Sequence, residues 1–373
     1  MIKIGIECES IEQDSWGIAR IVSKTLEELA RRPQLAADFK FYLYFKSRIP
    51  DYPYLDNPLF VKRLVRVPFL PVSFSLYSYV FLPIRALFDH LNVMYFPNYM
   101  LPLIFVGKSL VLSVHDAYYE ARNKNIPFRY RLAYRIFATW AAWRATGLMA
   151  LSEFGKREVA AVYRIRPERI VVNHLGIEAP VLADPSRPSD RAYLLFVGQA
   201  FPRRHLKETL LTFEEIAPEF PELDFVIVGK DKYSPPVISG LARRINETLG
   251  TERIRLREQV SEAELRNLMM HAQAVTYISD KEAFGLPPLE ALAHGAVPVV
   301  ADVPVSREIF GDAAFFVQAP FSPDKIARTL RNALHHHTER ERIMNARQRF
   351  LKTFSWSAHV DRLLEALKTI AHA

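Results

Sequence analysis

A single cysteine, Cys8, stands among 373 residues, so no intramolecular disulfide can form and a disulfide-stapled secreted fold is excluded. The opening stretch MIKIGIECES has no basic region followed by an apolar run and a cleavage site. No secretory leader is therefore expected, and the expected location is reducing and cytoplasmic. Long apolar runs free of helix breakers are also missing. Val67 to Ile84 and His90 to Gly107 carry no formal charge, but Pro68, Pro71, Pro83, Pro97 and Pro102 interrupt them. Proline in a short span frees backbone groups that lipid cannot satisfy, so these stretches should be buried or lie at a membrane surface. Three further absences bear on chemistry. No Gly-x-Gly-x-x-Gly turn follows a candidate first strand, which argues against a dinucleotide-dependent oxidoreductase. No Asp-x-Asp triplet and no Cys/His cluster with metal spacing occur, so no metal and no cofactor is expected. No short-period repeat occurs, which argues against a solenoid.

What is present is the usage of a folded protein: 50% hydrophobic and 24% charged residues. The length exceeds what one hydrophobic core usually serves and predicts two domains. The net charge of +8 is unevenly placed. Residues 1 to 178 hold 24 Lys and Arg against 16 Asp and Glu, leaving 25 of each beyond. Such asymmetry predicts an anionic partner for the first half, for which nucleic acid and anionic headgroups both have the right sign.

Apolar runs alternate with helical periodicity. IKIGIE leads through a polar loop and Gly17 to Ile18, Ile21, Val22, Leu26 and Leu29 at helical spacing. SLVLSV at 109 to 114 and GLMALS at 147 to 152 read as strands, the second leading into a helix over 153 to 163. The proline-rich APVLADPSRPSDR reads as a linker. After it come YLLFVG, DFVIVG, RIRL, AVTYIS, AVPVVA and AAFFV. The expected architecture is α/β, with two Rossmann-like domains of parallel sheet facing a central cleft. The expected divisions are 1–180, 181–355 and a final helix, 356–373, whose Val360, Leu363, Leu364, Leu367 and Ile370 share one face and pack across a domain surface.

In open parallel sheets ligands bind beyond the carboxyl ends of the strands, which directs attention to the turns there. AVTYIS ends in SDKEAFGL, and Pro287 and Pro288 then open a helix that Gly295 closes. Backbone amides around Phe284, Gly285 and Leu286, added to the helix dipole, suit a phosphate or a sugar hydroxyl. Glu282 in the loop and Glu290, placed in the first turn, can accept hydrogen bonds from hydroxyls. The bland reading is that Glu290 merely complements the dipole, worth about 0.3–1 kcal/mol.

EAFGLPPLEAL resembles the Glu-x7-Glu signature of retaining GT-B glycosyltransferases of group 1 (glycosyltransferase family 4), with Ala283 where Gly is common. The resemblance implies that Glu282 contacts hydroxyls of the donor sugar and Glu290 the ribose of a nucleoside-diphosphate sugar. QAFPRRHLKETL resembles the family's Pro-Arg-Lys-Asn turn, with Arg204 at the Lys position, His205 at the Asn position, and Gln199 where some relatives have Arg. A leaving diphosphate gains charge in the transition state, and Arg203, Arg204 and Lys207 would meet it. Gly17 resembles the glycine of the family's first loop. His115 and Asp116 match its His-Asp pair, the histidine approaching the transferred sugar. SEFGKREV resembles its Ser-Glu-Phe turn, and FPNYMLPL an acceptor-side segment containing Asn98 and Tyr99. The implied catalytic residues are His115, Glu282 and Arg204. Gly17, Gly198, Arg203, Lys207, Val260, Phe284, Gly285, Leu286 and Glu290 would join the last two around the donor. The family's mechanism uses no protein nucleophile, the leaving phosphate taking the acceptor proton.

The turn sequences resemble members that transfer mannose or rhamnose in surface polysaccharide synthesis, so GDP-mannose or a deoxyhexose donor and a lipid-linked glycan acceptor are expected. The basic first half, with Arg129, Arg131, Arg135 and Arg144 among Tyr130, Tyr134, Phe137 and Trp140, suits an anionic membrane surface. Nucleic acid is not an expected partner. Two other readings stay open: a sugar-nucleotide epimerase on the same scaffold, and a basic membrane- or nucleic-acid-binding module without catalysis.

Overall fold

The computed structural model describes residues 1–12, 17–66, 76–99, 101–112, 127–178 and 191–373. Its chain forms two compact units. One is Met1–Gly176 together with Trp356–Ala373, and the other is Ile177–Ser355.

The first unit is built on a seven-stranded sheet. Its strands are β1 (Ile2–Glu7), β2 (Phe39–Phe45), β3 (Phe60–Leu64), β4 (Val93–Phe96), β5 (Ser109–Leu112), β6 (Gly147–Ala150) and β7 (Ile170–Val172). They run β3-β2-β1-β4-β5-β6-β7, every neighbour parallel. Every residue of β4, β5 and β6 is buried, as expected of parallel strands covered on both faces. Helices α1 (Ile18–Ala30), α2 (Leu82–Phe88), α3 (Phe128–Arg144) and α4 (Glu153–Tyr163) accompany the sheet. Ser152 starts α4 by accepting the Gly155 amide at 3.0 Å, the usual way a first-turn donor is satisfied.

The second unit carries β8 (Ala192–Val197), β9 (Leu223–Val228), β10 (Ile254–Arg257), β11 (Ala274–Tyr277), β12 (Val297–Ala301) and β13 (Phe315–Val317). The order is β10-β9-β8-β11-β12-β13, again all parallel. That order is the doubly wound arrangement, with the direction of winding reversing between β8 and β11. Its helices are α5 (Leu206–Ile216), α6 (Ile238–Leu249), α7 (Glu262–His271), α8 (Leu286–His294), α9 (Pro304–Phe310), α10 (Pro323–His335) and α11 (His337–Thr353).

The last helix, α12 (Trp356–His372), returns to the first unit. It contacts α1, β1, β4 and β5. Val360, Leu363, Leu364, Leu367 and Ile370 are all buried, each contributing roughly 1.5–3 kcal/mol. Two glycines make the close approach possible. A Cβ on Gly176 would stand 2.3 Å from the Trp356 nitrogen, and one on Gly147 2.7 Å from Ile370 Cδ1. Asn173 Nδ2 donates to the His359 carbonyl at 3.1 Å, and Arg362 Nε to Asn173 Oδ1 at 3.0 Å.

The described parts of the uncharged stretches are elements of the first unit. Residues 93–96 are a buried strand, and Tyr77–Phe81 form a π-helical turn running into α2 with Pro83 in its first turn. Among the described residues no helix is long and apolar enough to cross a membrane.

Candidate functional site

The turn after β8 forms one side of the candidate site. Gly198 leaves the strand at φ +125, and Arg204 Nη1 lies 2.8 Å from where its Cβ would be. Only a glycine allows both the backbone angle and the packing of that guanidinium. Pro202–Arg204 then form a single 3-10 turn, and His205 at φ 46 passes the chain into α5. Histidine is among the few non-glycine residues that adopt this left-handed conformation with any frequency.

Across the reversal point, Glu282 follows β11, and its Oε1 accepts three hydrogen bonds. Arg204 Nε donates at 2.9 Å, Tyr277 OH at 2.9 Å and Ser279 Oγ at 3.1 Å. Arg204 Nη1 donates to the Gln199 carbonyl at 2.9 Å, and its guanidinium lies over the Tyr277 ring at 4.9 Å and the Phe201 ring at 5.7 Å. Burial alone would weaken the Arg204 charge, but Glu282 and Tyr277 outweigh it and hold the group above its ordinary value. Burial, reinforced by Glu282, likewise pushes the Tyr277 hydroxyl well up. Arg204 thus stays cationic and Tyr277 neutral in any physiological medium. The two loops are also joined by the Asp280 amide donating to the Arg203 carbonyl at 3.0 Å.

The structure therefore brings Arg204 and Glu282 into direct contact as a part-buried ion pair. Arg203 covers the Phe201 ring at 4.5 Å. Lys207 is exposed in the first turn of α5. Gly285 caps α8 at φ +90. Pro287 and Pro288 supply no N–H, so the donors at that helix end are the amides up to Leu286. Phe284 is buried edge-on against Phe354 at 5.7 Å. Glu290 is a correction: it belongs to the second turn of α8, not the first, and is 5% exposed. Val260, half-buried between β10 and α7, packs on the core beneath β8 and β9.

Several contributing residues carry no motif. Tyr277 and Ser279 fix Glu282, yet in sequence they are simply the end of an apolar strand. A Cβ on Gly229 would meet the Gly198 carbonyl at 2.0 Å, so both strand-end glycines are needed. The repeated terminal Gly of YLLFVG and DFVIVG was the available signal.

In the first unit the order reverses between β1 and β4. Glu7 ends β1, is 3% exposed and accepts the Asn98 Nδ2 at 3.3 Å from beyond β4. Burial, with Glu9 adding to it, pushes the Glu7 carboxyl up to about 8. Tyr99, next to Asn98, lies against Tyr134 at 5.2 Å. Gly17 caps α1 at φ +81, and among the described residues nothing stands within 4 Å of where its Cβ would be. His115 and Asp116 lie outside the described residues. Among the described residues no three His, Cys, Asp or Glu side chains converge as metal ligands would.

Helix α3 inverts the usual burial pattern. It buries Ala138, Ala141 and Ala142, while Phe128 is 69% and Trp143 63% exposed, as are Tyr130, Leu132 and Ile136 to lesser degrees. Its charged residues are Arg129, Arg131, Arg135 and Arg144, with no acid.

Residues 182–350 match the sequence profile described as glycosyl transferases group 1. That segment of the chain is similar to the family. The O-antigen chain mannosyltransferase RfbU of Salmonella typhimurium is 23% identical over 57% of this chain. The GDP-mannose:cellobiosyl-diphosphopolyprenol alpha-mannosyltransferase of Xanthomonas oryzae pv. oryzae is 22% identical over 69% of it. The chain spans only 62% and 67% of those two relatives' lengths. WaaG, a glycosyltransferase involved in lipopolysaccharide biosynthesis, superposes with a TM-score of 0.72 at 19% identity, covering 100% of both chains. Anabaena HepE in complex with UDP-glucose gives 0.71 at 14% identity, over 99% of this chain and 100% of that one. These likenesses show the GT-B fold.

Proposed function

We propose that the protein transfers a hexose, mannose or a deoxyhexose such as rhamnose, from a nucleoside-diphosphate sugar to a glycan acceptor. The observation that carries this is the Arg204–Glu282 pair held at the reversal point of the family's own domain. Ligands bind at such points in open sheets. There, Arg203 and Arg204 would meet the diphosphate, Glu282 the sugar hydroxyls and Glu290 the ribose. The bond between the sugar anomeric carbon and the phosphate oxygen breaks and one to the acceptor oxygen forms. The acceptor proton passes to the leaving diphosphate, with retained anomeric configuration. Arginine and helix amides would do the neutralising that a metal does elsewhere, so EDTA should leave turnover intact. His115 is proposed to approach the transferred sugar, and Asp116, Asn98 and Tyr99 to face the acceptor.

Support for mannose comes from the similarity to RfbU and the Xanthomonas enzyme, both mannosyltransferases; the second of these also acts on a diphosphopolyprenol, which supports a lipid-linked acceptor here. Helix α3, with outward aromatic and basic side chains, supports docking to an anionic membrane surface, where such an acceptor resides. The test is a thermal-shift panel of GDP, UDP, dTDP and ADP. A ligand at 100 times its dissociation constant should add about 2.7 kcal/mol; no shift with any of them would contradict the reading. Conversion of donor without acceptor would favour an epimerase.

A further inference from the structure

We infer that His205 is a positioning residue whose charged imidazole ties the Pro202–Arg204 turn to the segment carrying Glu282, making donor binding sensitive to alkaline pH. The inference rests on the donor reading above. His205 occupies the N-cap of α5 but its side chain makes no capping bond. Its ring instead stands between two carboxylates from different elements. Nδ1 lies 3.7 Å from Glu208 Oε2 on α5, and Nε2 3.7 Å from Asp280 Oδ2 in the loop after β11. The uncharged Phe321, from the loop after β13, packs on the ring at 4.9 Å between centroids. Lys207 is the neighbouring cation on the same helix, acting on Glu208.

Only the imidazolium carries an N–H on both nitrogens. A neutral ring would turn a lone pair toward one carboxylate. Burial pulls the His205 value down, but Asp280 and Glu208 outweigh it and push it up to about 9. The reciprocal effect holds Glu208 below its usual range, His205 being the leading cause. The value is raised above that of an unpaired histidine. The tie is therefore complete below about pH 6.5 and is lost as pH rises through about 9. Asp280 also donates its amide to Arg203, and two residues on Glu282 receives Arg204. Loosening Asp280 thus acts on both residues proposed to hold the donor.

The experiment uses the full chain, the nucleoside diphosphate giving the largest thermal shift, and the variants His205→Asn and Asp280→Asn. Its two readouts are calorimetric affinity from about pH 7.5 to about pH 10 and a titration of 13C-labelled histidine. In the wild type the dissociation constant should rise about fivefold over that range, with its midpoint near 9, and by less than about twofold in His205→Asn. The donor KM should move with it and kcat should not. The resonance missing from His205→Asn should titrate near 9 in the wild type and lower in Asp280→Asn. A wild-type pH profile retained in His205→Asn, or a resonance titrating near 6.5, overturns the inference. If no nucleotide binds at neutral pH the donor reading fails, and the histidine titration alone still decides whether His205 is held between the two carboxylates.

Discussion

Glu282 is held by three donors converging on one oxygen, Oε1, which leaves Oε2 outside that set. Glu282→Gln replaces an acceptor-only group with one that must turn either its amide or its carbonyl toward Arg204, Tyr277 and Ser279. Turnover should fall on the order of 10²-fold with the thermal midpoint nearly unchanged. Arg204→Ala should cost at least as much, because it removes the cation and unpairs Glu282. Steady-state kinetics with far-ultraviolet circular dichroism as the fold control checks both. Gly198→Ala places a methyl 2.8 Å from Arg204 Nη1 at a φ of +125. It should destabilise the protein by more than about 1 kcal/mol and weaken donor binding, measured by denaturant midpoint and by calorimetry.

At the scale of elements, α12 gives the clearest stability predictions. Leu363→Ala opens a cavity under a helix whose apolar face is buried on the first sheet, and should cost about 2–5 kcal/mol by denaturant unfolding. His359 is fully buried, and burial lowers it to about 4, the bond from its Nδ1 to the His174 carbonyl only partly opposing this. The unfolded chain takes up a proton near 6.5 while the folded one does not until about 4. Stability should therefore decline as pH falls through that window, less steeply in His359→Gln, as followed by thermal midpoints. Strands β8, β9 and β11 were legible because each is a largely apolar run closed by Gly or Ser. β2, β3, β4 and β7 were not read as strands. β2 is an aromatic-rich FKFYLYF, β3 carries Lys62 and Arg63 near the sheet edge, and β4 hides inside an uncharged stretch that equally suits a membrane-surface segment. Glu290 was misplaced because its turn depends on where α8 begins, and two prolines fix the conformation there without fixing the count. The Arg204–Glu282 contact was illegible, since the two residues are 78 positions apart and meet only through the order of the strands.

At the scale of the whole molecule, the two units repeat one layout. Each has a parallel sheet that reverses its winding beside the first strand, and each places a carboxylate and its partner at that reversal: Glu7 with Asn98, and Glu282 with Arg204. The first half also carries the basic excess and the outward-facing aromatic residues of α3. Replacing Phe128 and Trp143 with Ser should abolish flotation with anionic vesicles while sparing turnover on a water-soluble acceptor; unchanged flotation would remove α3 from the account. The central claim is sugar transfer from a nucleoside diphosphate at the Arg204–Glu282 pair. It is tested most directly by incubating purified protein with GDP-[14C]mannose and polyprenol-diphosphate glycan, and reading the new linkage by NMR. The account predicts label in the lipid fraction in an α linkage, in the presence of EDTA, and its loss in Glu282→Gln. Label left wholly in nucleotide, or equal transfer by Glu282→Gln, would contradict it.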